Sequence, residues 1–98
     1  MAKLPHPKVA DFLRDELMAP LALTQTVVAK AAGIPLARLN QILLGKRGIS
    51  AETDLRLCRL FGLSDGYFLR WQTDQDLAEA RDALGNKLSR VKPLVVAA

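Results

Sequence analysis

Between Thr24 and Leu44 the chain has room for two short helices and little freedom in how it turns between them. Thr24 suits a helix N-cap, because its hydroxyl can accept a bond from an unpaired first-turn amide. Val28, Ala29 and Ala32 then fall on one helical face, and Gly33 can take the positive φ that stops the helix. Pro35 fixes φ for a new helical start and drives Ile34 towards extended backbone. Leu39, Ile42 and Leu43 resume the apolar spacing, and the small side chain of Ala29 lets the two helices approach closely. Residues 24–44 are therefore predicted to form a helix-turn-helix, in which the second helix can enter a DNA major groove while the first crosses the backbone.

That geometry assigns roles. The exposed side chains near the start of the second helix of the pair are Leu36, Ala37, Arg38, Asn40 and Gln41, and these are the candidates to reach base edges. Arg38 can fork onto guanine O6 and N7, Gln41 or Asn40 can pair with adenine N6 and N7, and Leu36 or Ala37 can touch a thymine methyl. Thr24, Gln25 and Thr26 open the first helix, where amides and short polar side chains suit phosphate. Lys30, Lys46 and Arg47 add positive charge that carries no sequence information.

The rest of the chain reads as further helices. Val9, Phe12, Leu13 and Leu17 share a face, predicting a first helix from about Pro7 to Met18 that Pro20 closes. Gly45 ends the third helix, and Ser50 caps a fourth whose buried stripe is Leu55, Cys58 or Leu57, and Phe61. Gly62 ends that helix, and Ser64 is expected to cap a fifth that begins near Asp65. Leu77, Ala80, Leu84, Leu88 and Val91 would form one apolar seam if the chain stayed helical, but Gly85-Asn86 argues for a break. Leu94-Val95-Val96 has strand-like composition without a partner. An all-α domain over 1–84 is expected, followed by an irregular extension over 85–98 that is partly disordered or part of a dimer contact.

The 98 residues, about half of them apolar, suffice for one core and not for two. The formal charge of +4 is unevenly placed: no acid lies between Leu17 and Ala51, whereas Glu52 to Asp82 holds seven. A basic middle suits a polyanion, and the acidic stretch suits a basic protein partner. Cys58 is the sole cysteine, which excludes an intramolecular disulfide and a four-thiolate metal site and fits a reducing, cytoplasmic setting. No apolar run approaches membrane-spanning length. One histidine, one cysteine on an apolar helix face and no glycine-rich phosphate loop leave nothing for a catalytic site, a metal or a cofactor. His6 reads as a surface residue at a helix start. A single module of this size buries too little surface for tight specific binding, so a two-fold homodimer on half-sites about 34 Å apart is expected. Tyr67, Trp71, Leu77, Leu84 and Leu88 are the candidate dimer residues, with core packing as the competing role for this aromatic and leucine stripe, Trp71 and Leu77 included.

Several runs resemble the lambda-repressor-like (Xre) helix-turn-helix family and, within it, the HigA antitoxins of addiction modules. They are His6-Pro7, Leu23-Thr24-Gln25 with Ala29 and Gly33, Leu44 to Ser50, Tyr67-Phe68-Leu69 with Gln72, and Asp76-Leu77. The resemblance implies a compact five-helix DNA-binding domain. It also implies an antitoxin that binds a small basic HigB-like toxin, a RelE-type messenger-RNA interferase, and represses its own operon as a dimer. The chain departs from the family pattern at Pro35, Leu36 and Ala37, where members carry polar residues, and at Val27, where they carry an acid or amide. A stand-alone repressor without a toxin is the alternative, and a protein-interaction module that has lost DNA binding is a third reading.

Overall fold

A computed structural model describes residues 8–95, and among these every regular element is helical. The first helical segment changes pitch along its length. α1 (Val9–Phe12) runs on through a π-helical stretch (Leu13–Met18) into a 3₁₀ turn (Ala19–Leu21). The expected start at Pro7, the surface role of His6 and the Val96 end of the strand-like run lie outside the described residues. Pro20 does not close the segment. It sits in the first turn of the 3₁₀ piece, where a missing N–H is tolerated, and closure falls instead at Ala22, which is left-handed with φ 53°.

α2 (Gln25–Ala32), α3 (Leu36–Leu43) and α4 (Ala51–Phe61) follow, each short and each with one apolar face. α5 (Tyr67–Leu84) is the long helix, and Gly85 separates it from the single turn α6 (Asn86–Ser89). One core joins Val9, Leu13 and Met18 to Val28, Ala29, Ala32, Ile34, Leu39, Ile42 and Leu43. Ile49, Leu57, Cys58 and Phe68 close it from the other side, and Phe12, Tyr67 and Trp71 pack along its edge.

Two more sequence expectations need correction. Leu55 is 49% exposed, because the inward face of α4 is Thr53, Asp54, Leu57 and Cys58, with Phe61 half-buried. A carboxylate inside that stripe breaks the apolar pattern and shifts the apparent face by one residue. The fifth helix also begins two residues later than Asp65. Gly66 is its N-cap with φ 85°, and the Ser64 carbonyl only closes a turn to the Tyr67 amide at 3.1 Å. The acid at this helix start comes from another helix: Asp54, 1% exposed, accepts from the Gly66 amide at 2.6 Å and from the Leu69 amide at 2.9 Å. A buried carboxylate here satisfies orphan amides and complements the positive end of α5.

The cysteine thiol is buried, and desolvation pushes its pKa up. A neutral thiol held this way is a small core residue without thiolate chemistry.

Candidate nucleic-acid interface

The turn between α2 and α3 is closed three times. Gly33, at φ 72°, lets its own amide reach the Lys30 carbonyl at 3.3 Å and the Ile34 amide reach the Ala29 carbonyl at 2.9 Å, the paired bonds of a Schellman termination. Arg56 then donates from Nη1 to the Ala32 carbonyl at 3.2 Å. A Cβ at position 33 would sit 2.8 Å from that guanidinium nitrogen, the far end of a flexible side chain that can shift, so it is the positive φ that calls for glycine. Pro35 is the N-cap of α3 rather than its first helical residue, with ψ 135°, and its carbonyl accepts from the Leu39 amide.

At the front of the pair, the Thr24 hydroxyl accepts from the Val27 amide at 3.2 Å. Thr24 and Thr26 are exposed, Gln25 is half-buried, and Lys30, Lys46 and Arg47 are exposed. On α3, Leu36, Ala37, Asn40 and Gln41 are exposed, whereas Arg38 is half-buried. The side chains read as separate base and phosphate contacts are joined to one another. Asn40 donates from Nδ2 to Gln25 Oε1 at 3.1 Å, and Arg47 donates from Nε to Gln41 Oε1 at 2.8 Å. The side-chain amides of Asn40 and Gln41 on the exposed side of α3 are thereby held by bonds to α2 and to the following loop.

The basic loop after α3 is held from beneath. Gly45 is left-handed, and the Lys46 amide returns to the Gln41 carbonyl at 2.9 Å. Ile49 is buried, and Gln72 of α5 accepts from its amide at 2.6 Å and donates to its carbonyl at 2.9 Å. Arg14 ties the first helical segment to the end of α3 through the Leu43 carbonyl at 3.4 Å while pairing with Asp15 and Asp11. Hydrogen bonds to Asp15 and then Asp11 raise its pKa further, so its charge is fixed. Arg14, Arg56 and Gln72 are structural partners of this face that local sequence patterns do not reveal, because each acts on backbone far away in the chain.

No acid lies on α2, α3 or the basic loop, while Asp76 and Glu79 of α5 line the groove beside Arg47. Of the seven between Glu52 and Asp82, Asp54 is buried under α5 and the other six are exposed on α4, the turn that follows it and α5. Among the described residues no group of His, Cys, Asp and Glu is placed to hold a metal ion, and no helix is long and apolar enough to cross a membrane.

The five candidate dimer residues fall into two groups. Tyr67 and Trp71 are half-buried, with ring centroids 6.1 Å and 4.8 Å from Phe12. Leu77, Leu84 and Leu88 are 47%, 43% and 47% exposed on the far part of α5 and on α6.

A helix-turn-helix family model matches residues 13–68. Virulence-associated protein I of Dichelobacter nodosus is 40% identical over 75 residues, which cover 76% of this chain and 68% of that protein. The solved structure of the Pseudomonas aeruginosa antitoxin HigA with the higBA promoter is similar at a TM-score of 0.81 and 29% identity, covering 91% of this chain and 98% of that one. An addiction module antidote protein of the HigA family from Coxiella burnetii is similar at a TM-score of 0.82 and 31% identity, covering 92% of this chain and 99% of that one.

Proposed function

We propose, from the premise that this chain belongs to the helix-turn-helix family and to its HigA-type antitoxins, that it binds double-stranded operator DNA, represses its own operon and neutralises a small basic HigB-like toxin. The observation that carries the DNA reading is the joining, through the Asn40–Gln25 and Arg47–Gln41 bonds, of the start of α2, the exposed side of α3 and the Lys46-Arg47 loop, segments that themselves carry no acid. α3 enters the major groove. Leu36, Ala37, Arg38, Asn40 and Gln41 are its base-facing residues, and Thr24, Gln25, Thr26, Lys30, Lys46 and Arg47 meet phosphates. The domain is residues 1–84, with 85–98 as an extension. It acts in the cytoplasm as a homodimer that uses Tyr67, Trp71, Leu77, Leu84 and Leu88. The toxin reading is supported by family membership and by the exposed acids of α4 and α5, which suit a basic protein.

The test has two arms. A duplex from the chain's own upstream region is titrated at several salt concentrations, with Lys46→Ala/Arg47→Ala alongside the unaltered protein. Weaker binding to every sequence and a salt slope flatter by about one unit per lost phosphate contact are expected; unchanged affinity and slope would remove the DNA reading. In the second arm the neighbouring small basic gene product is expressed with and without this chain. Growth arrest relieved by co-expression, together with a co-purifying complex, is expected. A harmless neighbour with no complex would leave a stand-alone repressor.

A further inference from the structure

We infer that Arg47 is a specificity-positioning residue, one that turns the Gln41 amide so that α3 offers guanine a hydrogen-bond donor and disfavours adenine. The inference rests on the reading of α3 as the base-facing helix. A glutamine that pairs with adenine must donate to N7 and accept from the N6 amino group at once. Here the accepting atom, Gln41 Oε1, already holds the Arg47 Nε–H at 2.8 Å. One lone pair remains on that oxygen, but an amino group approaching it also meets the positive guanidinium. The amide nitrogen of Gln41 stays available, with two N–H donors. Guanine presents two acceptors, N7 and O6, on its major-groove edge, and the positive charge beside Gln41 favours the same edge.

The loop geometry makes this placement durable. Lys46 is bonded by its amide to the Gln41 carbonyl, so residue 47 starts one residue from the helix turn it braces. Ile49, buried and bonded twice to Gln72, fixes the other side of the loop. Asp76 and Glu79 line the groove beside Arg47 and are alternative acceptors for it, yet its Nε is directed at Gln41. Lys46 is also exposed and charged, but its side chain donates no bond to Gln41, which makes it the matched control.

The probe is a pool of duplexes randomised over about twenty base pairs, selected by the full chain and by Gln41→Ala, Arg47→Ala and Lys46→Ala, with near-unchanged circular dichroism melts required of each variant. The unaltered protein is expected to enrich guanine over adenine about tenfold at one position per half-site, and Gln41→Ala to lose that preference. Arg47→Ala should bind more weakly and bring the guanine-to-adenine ratio at that position close to one. Lys46→Ala should bind more weakly with the ratio kept. A ratio that survives in Arg47→Ala, one that falls equally in Lys46→Ala, or a Gln41-dependent preference for adenine overturns the inference while leaving DNA binding intact. No binding of the pool by the unaltered protein overturns the DNA reading and the inference with it.

Discussion

The two ends of α5 are one helix in two environments. Over Tyr67 to Gln72, Phe68 is fully buried, Trp71 packs on Phe12, Asp54 holds the Gly66 and Leu69 amides, and Gln72 grips Ile49. Beyond Ala78 every described residue is exposed, Leu84 and Leu88 included. Packing keeps the first end helical. The second end is rich in strong helix formers, Leu77-Ala78-Glu79-Ala80-Arg81 and then Ala83-Leu84, and can persist as helix on its own propensity until Gly85. Folding energy and exposed apolar surface are therefore separated along one element, so substitutions at the two ends should read out on different measurements.

The largest effect belongs to the buried end. Phe68→Ala removes the largest fully buried side chain and opens a cavity between α4 and α5, which should cost about 3–5 kcal/mol of stability. Chemical denaturation measures it. A loss under about 1 kcal/mol would mean that the near end of α5 is as loosely held as the far end, and the comparison would collapse.

Next comes the carboxylate beneath that end. Asp54→Asn keeps the shape but exchanges one accepting oxygen for an amide that faces a backbone N–H, and it discharges the cap. About 2–3 kcal/mol is expected from the loss of a charge-assisted bond in a buried site, read by denaturation and by faster hydrogen exchange at Gly66 and Leu69. Exchange that quickens at the far end of α5 instead would place the helix's anchor somewhere other than Asp54.

Asp54 also shows where the sequence stopped being legible. Termini set by the chain's own neighbours were readable: Thr24 and Ser50 cap their helices, and Gly33, Gly45 and Gly62 end theirs with positive φ. The apolar faces of α2 and α3 were readable for the same local reason, the helical period. The start of α5 was not, since its cap arrives from α4, twelve residues back, and Ser64 is the better local candidate. Leu55 reads as core from the sequence because a buried aspartate beside it has no apolar signature. At the interface, residue types make Arg38, Asn40 and Gln41 candidate base readers, but no local rule shows that Arg38 is half-buried or that Arg47 reaches Gln41. Helix periodicity fixes which side of α3 faces outward, while side-chain pairing across a loop depends on tertiary placement.

The smallest effect on folding, and the sharpest test of the contrast, lies at the exposed end. Leu77 and Leu84 are seven residues apart, two helical turns, and so lie along one side of α5 with Leu88 beyond. Neither is counted among the core residues or the partly buried side chains packed on them. Leu77→Lys/Leu84→Lys should therefore change the stability of the monomer by no more than about 0.5 kcal/mol. If these leucines face a second copy, the same pair should abolish dimerisation, because it sets two positive charges on each side of an apolar contact related by two-fold symmetry. Stability must then be compared at protein concentrations below the dimer dissociation constant, where mass action no longer adds to the apparent value of the unaltered chain. Sedimentation at rising concentration separates the outcomes. A variant that stays monomeric while the unaltered chain dimerises, with matching dilute stability, assigns the far end of α5 to assembly alone. A variant that unfolds when dilute would show that the exposed leucines contribute to the fold, and the division within α5 would have to be withdrawn.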